Sequence, residues 1–94
     1  MVSPSTIYDY DVAARSLTPL KVQEIPSGYD ASLYVTERLE IPARDGTLIP
    51  VSVVSRKDRS PGGPLHLYGY GAYGISIDPG FSTSRLSLVD RGFI

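Results

Sequence analysis

Prolines and glycines interrupt this chain so often that long regular elements are excluded. The 94 residues include eight prolines and nine glycines, spread along the whole length. Proline cannot continue an α-helix or a central β-strand, and glycine weakens both. The apolar fraction of 41% is ordinary for a globular protein. The chain is therefore predicted to form short strands joined by turns, amounting to one domain at most.

Charge and composition exclude several classes of function. The net charge is −1, so nothing draws the chain to nucleic acid or to an anionic membrane. With no cysteine and a single histidine, His66, neither a disulfide nor a zinc site is expected, and no cofactor is predicted. No apolar run approaches the roughly 20 residues that span a bilayer, and residues 1–20 contain acidic residues without an apolar core, so a secretory signal is not expected there. These features favour a cytoplasmic protein.

Alternation of polar and apolar residues predicts two β-hairpins in the first 56 residues. The predicted strands, in pairs, are Ser5–Asp11 with Pro19–Ile25, and Tyr34–Pro42 with Leu48–Arg56. Ala13–Leu17 is expected to form the first turn. The second turn contains Asp45 followed by Gly46, which is a strong hairpin signal.

The last third of the chain predicts a strand, a loop and a helix in that order. Leu65–Tyr68 is a short apolar run, interpreted as a buried strand with His66 packed in the core. A helix is expected over residues 82–91, because Ser82 can cap its start and Gly92 can end it in a left-handed turn.

The loop between that strand and that helix carries the most distinctive pattern, since residues 65–74 are LHLYGYGAYG. Its glycines fit G-x-G-x-x-G, but a helix beginning about eight residues too late disfavours a nucleotide-binding βαβ unit. Ser76 lacks the final glycine of a nucleophile elbow and is interpreted as a loop serine. Asp9 and Asp11 share a strand face that is interpreted as solvated rather than as an acid–base pair.

Three tyrosines remain in this loop region, Tyr68, Tyr70 and Tyr73. Their rings could pack on the sheet, or form an aromatic platform in a small self-standing β-rich binding module. Alternatively, a phenol on this loop could donate a hydrogen bond to an oxyanion. A hairpin, a third strand, a glycine-rich loop and a helix follow one another as at the opening of an α/β-hydrolase sheet, where such a donor occurs.

The sequence from residue 67, LYGYGAYGISIDPGFSTSRLSLVDRGFI, closely resembles the start of the catalytic domain in the prolyl oligopeptidase family of serine peptidases. Within that family it is nearer the oligopeptidase B branch. Residues 34–56 resemble the first hairpin of that domain. The resemblance implies that residues 1–28 end a β-propeller, residues 29–33 form a linker, and residues 34–94 begin an α/β-hydrolase domain. The fragment itself is expected to be mostly β.

The same resemblance implies an oligopeptidase that hydrolyses short peptides, after Arg or Lys in the oligopeptidase B branch. Tyr70 matches the tyrosine whose hydroxyl helps to bind the oxyanion, and Tyr73 matches an aromatic residue that lines the substrate pocket. The Ser-Asp-His triad of relatives lies beyond Ile94. The chain is therefore expected to be truncated at both ends, inactive by itself, and poorly soluble because of its open strand edges.

Overall fold

The computed structural model describes all of residues 1–94 and is mostly β. Its elements are β1 (Thr6–Asp11), β2 (Ser16–Val22), a 3-10 turn (Ala31–Leu33), β3 (Tyr34–Pro42), β4 (Leu48–Arg56) and α1 (Thr83–Val89). The strands form two separate antiparallel pairs, β1 with β2 and β3 with β4, which confirms both predicted hairpins. With seven residues, α1 is too short to cross a bilayer.

The first hairpin differs from its predicted bounds because of Pro19. This residue was expected to open the second strand, yet β2 begins at Ser16 and the turn occupies residues 12–15. Pro19 lies opposite Tyr8, and the register slips beside it so that Leu20 becomes an extra, unpaired residue. Proline has no N–H for the ladder, so a bulge at this point keeps the remaining pairs aligned.

The second hairpin follows its predicted bounds closely. Its register runs without a slip from the pair Tyr34–Arg56 to the pair Pro42–Leu48. Gly46 has φ +85° and supplies the left-handed residue that the turn requires. The Thr47 N–H donates to Asp45 Oδ1 at 3.0 Å, and this bond lowers the pKa of the Asp45 carboxyl.

Helix α1 begins directly after its predicted cap, Ser82, and ends at Val89, two residues before the predicted end. The Ser82 hydroxyl accepts a hydrogen bond from the first turn. At the other end Gly92 has φ +90°, and the N–H groups of Gly92 and Phe93 return to the carbonyls of Val89 and Leu88 at 3.0 and 3.2 Å. This pair of bonds is a Schellman motif, which a left-handed glycine makes possible.

The core lies where α1 covers the start of β3 and the end of β4. Its buried apolar residues are Tyr34, Leu86 and Val89, packed against Val2, Tyr29, Val54 and Phe81. Only four of the 94 residues are buried. Large apolar side chains along both hairpins are consequently exposed.

The segment Leu65–Tyr68 was predicted to be a buried strand, and that prediction is wrong. The side chains of Leu65 and Leu67 are 66% and 77% exposed, and no strand is formed there. His66 is exposed as well and is not a packed core residue. An apolar run indicates a tendency to be buried, whereas burial itself requires neighbours on both faces of the strand.

This segment nevertheless pairs in parallel with the end of the chain. The His66 N–H donates to the Ile94 carbonyl at 2.7 Å, and the Ile94 N–H donates to the Pro64 carbonyl at 2.9 Å. These two bonds form a parallel bridge between Leu65 and Ile94. With α1 between the two paired segments in the chain, this single bridge has the connectivity of the strand–helix–strand units from which α/β sheets are built.

Candidate functional site

The tyrosine loop (residues 69–74) ends in a turn with two left-handed residues. The Ile75 N–H donates to the Ala72 carbonyl at 3.1 Å, and the residues between them, Tyr73 and Gly74, have φ of +55° and +65°. Positive φ at both central positions is the requirement of a type I′ turn. A bulky residue such as tyrosine rarely adopts this conformation, so the turn stores strain at Tyr73.

The other two glycines of the loop do not serve the purpose that their spacing suggests. Gly69 and Gly71 lie outside the left-handed region, and a Cβ placed on either would meet no atom within 4 Å. The sequence pattern implied positive φ or a close backbone approach at alternate positions. In the structure the unusual backbone is confined to the turn at Tyr73 and Gly74.

The structure separates the two predicted site residues. Tyr73 is 92% exposed, so its ring does not pack on the sheet. Tyr70 is 47% exposed and lines an open groove of about 810 Å³. One wall of this groove is β4, and the other is the segment from Leu65 to Tyr70. Tyr73 does not line the groove.

Several groups singled out in the sequence meet at this groove. His66 and Ser76 line it together with Tyr70. None of the three forms a side-chain hydrogen bond with another, so no nucleophile–base pair is assembled. No group of three or more His, Cys, Asp or Glu side chains is placed to hold a metal ion.

The paired carboxylates of the first strand lie away from this groove. Asp9 and Asp11 are both exposed on β1. The Asp11 carboxylate accepts the Ala14 N–H at 2.8 Å, which stabilises the turn after β1. This arrangement agrees with a solvated strand face and a local turn role.

Sequence reasoning missed an arginine on the groove wall. Arg85 of α1 is half-buried, and its guanidinium carbon lies 5.6 Å from the centroid of the Tyr68 ring. This distance is within the range of a cation–π contact. Arg85 lies four residues before the buried Val89, so the two residues share one face of the helix. This spacing is the sequence signal that could have located Arg85.

A second missed cluster ties α1 to the second hairpin. The Tyr34 hydroxyl donates to Asp90 Oδ1 at 2.6 Å, and Arg56 Nη1 donates to the same oxygen at 3.3 Å. The guanidinium of Arg56 also holds both carboxylate oxygens of Asp58, at 2.8 and 2.9 Å. The hydrogen bond to Asp90 raises the pKa of Tyr34 to about 12, and that to Arg56 lowers the pKa of Asp58.

Tyr29 connects this cluster to the beginning of the chain. Its ring stacks on Tyr34 with centroids 5.5 Å apart and meets Phe81 edge to face at 5.2 Å. Its hydroxyl donates to the Val2 carbonyl. Burial, followed by the charge of Asp30, raises the pKa of Tyr29. The start of the segment predicted to be a linker is therefore firmly packed.

Comparison with known proteins shows which family this chain resembles in sequence and in structure. No protein-family profile matches the chain. It is 50% identical over 97 aligned residues to dipeptidyl aminopeptidase BI of Pseudoxanthomonas mexicana, which covers 100% of the chain and 13% of that relative. It superposes on oligopeptidase B of Leishmania major with a TM-score of 0.86 and 43% identity, over 99% of the chain and 13% of that structure. The chain belongs to the prolyl oligopeptidase family.

A third comparison supports membership of the prolyl oligopeptidase family. A structure from a study of two prolyl endopeptidases matches with a TM-score of 0.84 and 30% identity, covering 98% of this chain and 14% of that one. The family resemblance carried by the tyrosine loop is thus confirmed over both hairpins and α1. The chain spans only 13% of the length of the first of these relatives.

Proposed function

We propose that this chain is the part of a serine oligopeptidase that supplies an oxyanion donor, the Tyr70 hydroxyl. In this proposal residues 1–28 end a propeller, residues 29–33 are the linker and residues 34–94 open the catalytic α/β-hydrolase domain. The peptidase names of its relatives support the reaction class.

One observation carries the role of Tyr70. The parallel bridge between Leu65 and Ile94 fixes the direction of the extended segment that leads to Tyr70. Sites in α/β sheets lie beyond the carboxyl ends of parallel strands, and this general rule supports a site at Tyr70. Tyr70 is also partly exposed on an open groove, so a substrate carbonyl can approach its O–H group.

The chemistry required of Tyr70 is simple. When a serine attacks a peptide carbonyl, the carbonyl oxygen becomes an alkoxide, and a positioned O–H group stabilises that developing charge. The groove offers no nucleophile–base pair. We therefore expect the isolated chain to show no turnover, with the nucleophile and base supplied by the rest of the peptidase.

Tyr73 is proposed to contact the residue before the scissile bond. Its strained backbone and 92% exposure leave the whole ring free to meet a substrate side chain. The resemblance to the oligopeptidase B branch leads us to propose cleavage after Arg or Lys, and the similarity to an oligopeptidase B structure supports that branch. The dipeptidyl aminopeptidase relative favours a second candidate, release of dipeptides from a free amino terminus.

The two specificities predict different products from one pair of peptides. The pair shares an internal Arg as residue four or later and differs only in a free or acetylated amino terminus. Cleavage of both peptides after Arg supports the oligopeptidase proposal. Release of dipeptides from the free peptide alone supports the dipeptidyl candidate.

Substitution of Tyr70 tests the oxyanion role. In the full-length peptidase that carries this chain, Tyr70→Phe is expected to lower kcat roughly 100- to 1000-fold with little change in KM. Tyr10→Phe, an exposed tyrosine on β1, is the matched control and should leave kcat unchanged. Undiminished kcat in the Tyr70→Phe enzyme would overturn the proposal.

The small burial argues against the self-standing binding module. Such a module needs its own core, yet only four of the 94 residues are buried. Cooperative thermal unfolding of the bare chain as a monomer would favour the module instead.

A further inference from the structure

The guanidinium of Arg85 faces an aromatic ring instead of a carboxylate. Arg85 is half-buried on the groove wall and forms no salt bridge, whereas Arg56 forms two. The Tyr68 ring, 5.6 Å away, is the group that faces its charge. The Tyr68 side chain is 58% exposed, so the pair remains in contact with solvent, and its distance is within the range at which a ring attracts a cation.

Tyr68 lies in a stretch of chain that no backbone hydrogen bonds hold in place. No backbone–backbone hydrogen bond involves residues 67–71. The bonds that flank this stretch are those of His66 with Ile94 and of Ile75 with Ala72. Tyr70 lies in the middle of this stretch, so the position of its hydroxyl depends on side-chain contacts.

Helix α1 is a rigid base from which Arg85 can act. Its next residue, Leu86, is 6% exposed in the core, and Val89 is 3% exposed. Asp90 at the end of the helix is held by Tyr34 and Arg56. The backbone of Arg85 is thus fixed relative to β3 and β4.

We infer that Arg85 is a positioning residue, which holds the Tyr68 ring and thereby sets the location of the Tyr70 hydroxyl. This inference rests on the proposed oxyanion role of Tyr70. Arg85, Tyr68 and Tyr70 all line the same groove, and Tyr70 is two residues along the chain from Tyr68. A shift of the Tyr68 ring is therefore passed to Tyr70 through the backbone between them. Misplacement of a catalytic donor lowers the rate of the chemical step more than it weakens substrate binding.

The test uses the full-length peptidase and a chromogenic peptide substrate. Arg85→Met should lower kcat roughly tenfold while KM changes less than about twofold. Arg85→Lys keeps a cation and should recover most of that loss. Arg91→Met is the matched control beyond the opposite end of α1, where the exposed Arg91 donates to the Ser87 carbonyl, and it should leave kcat unchanged.

A double substitution separates this inference from the proposed function. In a Tyr70→Phe background, Arg85→Met should cause no further loss of kcat, because its effect passes through the absent hydroxyl. If Arg85→Met lowers kcat by the same factor in both backgrounds, the inference is wrong and the role of Tyr70 stands. If Tyr70→Phe alone leaves kcat unchanged, the proposed function and the inference fail together.

Substitutions at Tyr68 keep the inference testable should Arg85→Met fail to fold. Tyr68→Phe retains the ring face and is expected to keep most of kcat, whereas Tyr68→Leu removes the ring and should match the Arg85→Met loss. Full kcat in the Tyr68→Leu enzyme would contradict the positioning role.

Discussion

The Tyr34 hydroxyl donates to the Asp90 carboxylate at 2.6 Å across 56 positions of sequence. A carboxylate at the end of a helix is unfavourable, because the negative pole of the helix dipole lies there. The phenol of Tyr34 and the guanidinium of Arg56, at 3.3 Å, offset that repulsion. This contact therefore orients α1 against the second hairpin.

Removal of the Tyr34 hydroxyl should destabilise the chain. Tyr34→Phe leaves the ring stacked on Tyr29 but takes a donor from Asp90, so we expect a loss of about 1–2 kcal/mol in the free energy of unfolding. Urea denaturation of the full-length peptidase that carries this chain measures this loss. Tyr8→Phe on the exposed β1 is the control, and an equal effect of the two changes would refute the role of the bond.

The same hydrogen bond predicts a loss of stability in alkali. The pKa of Tyr34 is raised from 10.0 to about 12 in the folded state. Between these values the unfolded chain releases the proton and the folded chain keeps it, so the free energy of unfolding falls as pH rises. Urea midpoints of the full-length peptidase and of its Tyr34→Phe variant should differ below pH 10 and converge towards pH 12. A constant difference over this range would contradict the assignment.

Strain at Tyr73 should be visible in a pair of substitutions. Asparagine tolerates the left-handed region and valine does not, so Tyr73→Val should be about 1 kcal/mol less stable than Tyr73→Asn. Little packing is lost in either case, because the ring is 92% exposed. The same pair at Tyr70, whose φ is not left-handed, is the control and should not show this order. Equal stability of the two Tyr73 variants would exclude strain at the turn.

A close backbone contact at Gly63 should make this position intolerant of a side chain. A Cβ on Gly63 would lie 2.6 Å from the Gly92 carbonyl oxygen, which belongs to the backbone and cannot swing away as a flexible side chain could. Gly63→Ala is therefore expected to lower the free energy of unfolding by about 1–3 kcal/mol in a urea titration of the full-length peptidase. Gly71→Ala meets open space and should change it by less than about 0.5 kcal/mol. The reverse order would show that the glycines of the tyrosine loop are the constrained ones.

Local rules located the elements of this protein with few errors. Alternation of residue types together with Asp45-Gly46 predicted the second hairpin, and Ser82 and Gly92 predicted the ends of α1. Each of these signals acts within a few residues of chain, through turn geometry or a capping hydrogen bond, and therefore needs no distant partner. The family, too, could be identified from one stretch of sequence, because its motif is long and specific.

Burial and pairing across the chain followed from packing instead. Pro19 is accompanied by a register slip because it lies inside a paired strand, opposite Tyr8. Leu65 is exposed because its only pairing is a single bridge to Ile94. Two contacts could not be predicted from residue types alone: Tyr34 with Asp90, and Tyr68 with Arg85. Such contacts depend on how α1 packs on the second hairpin. That packing is set by the whole fold and cannot be predicted from local residue preferences.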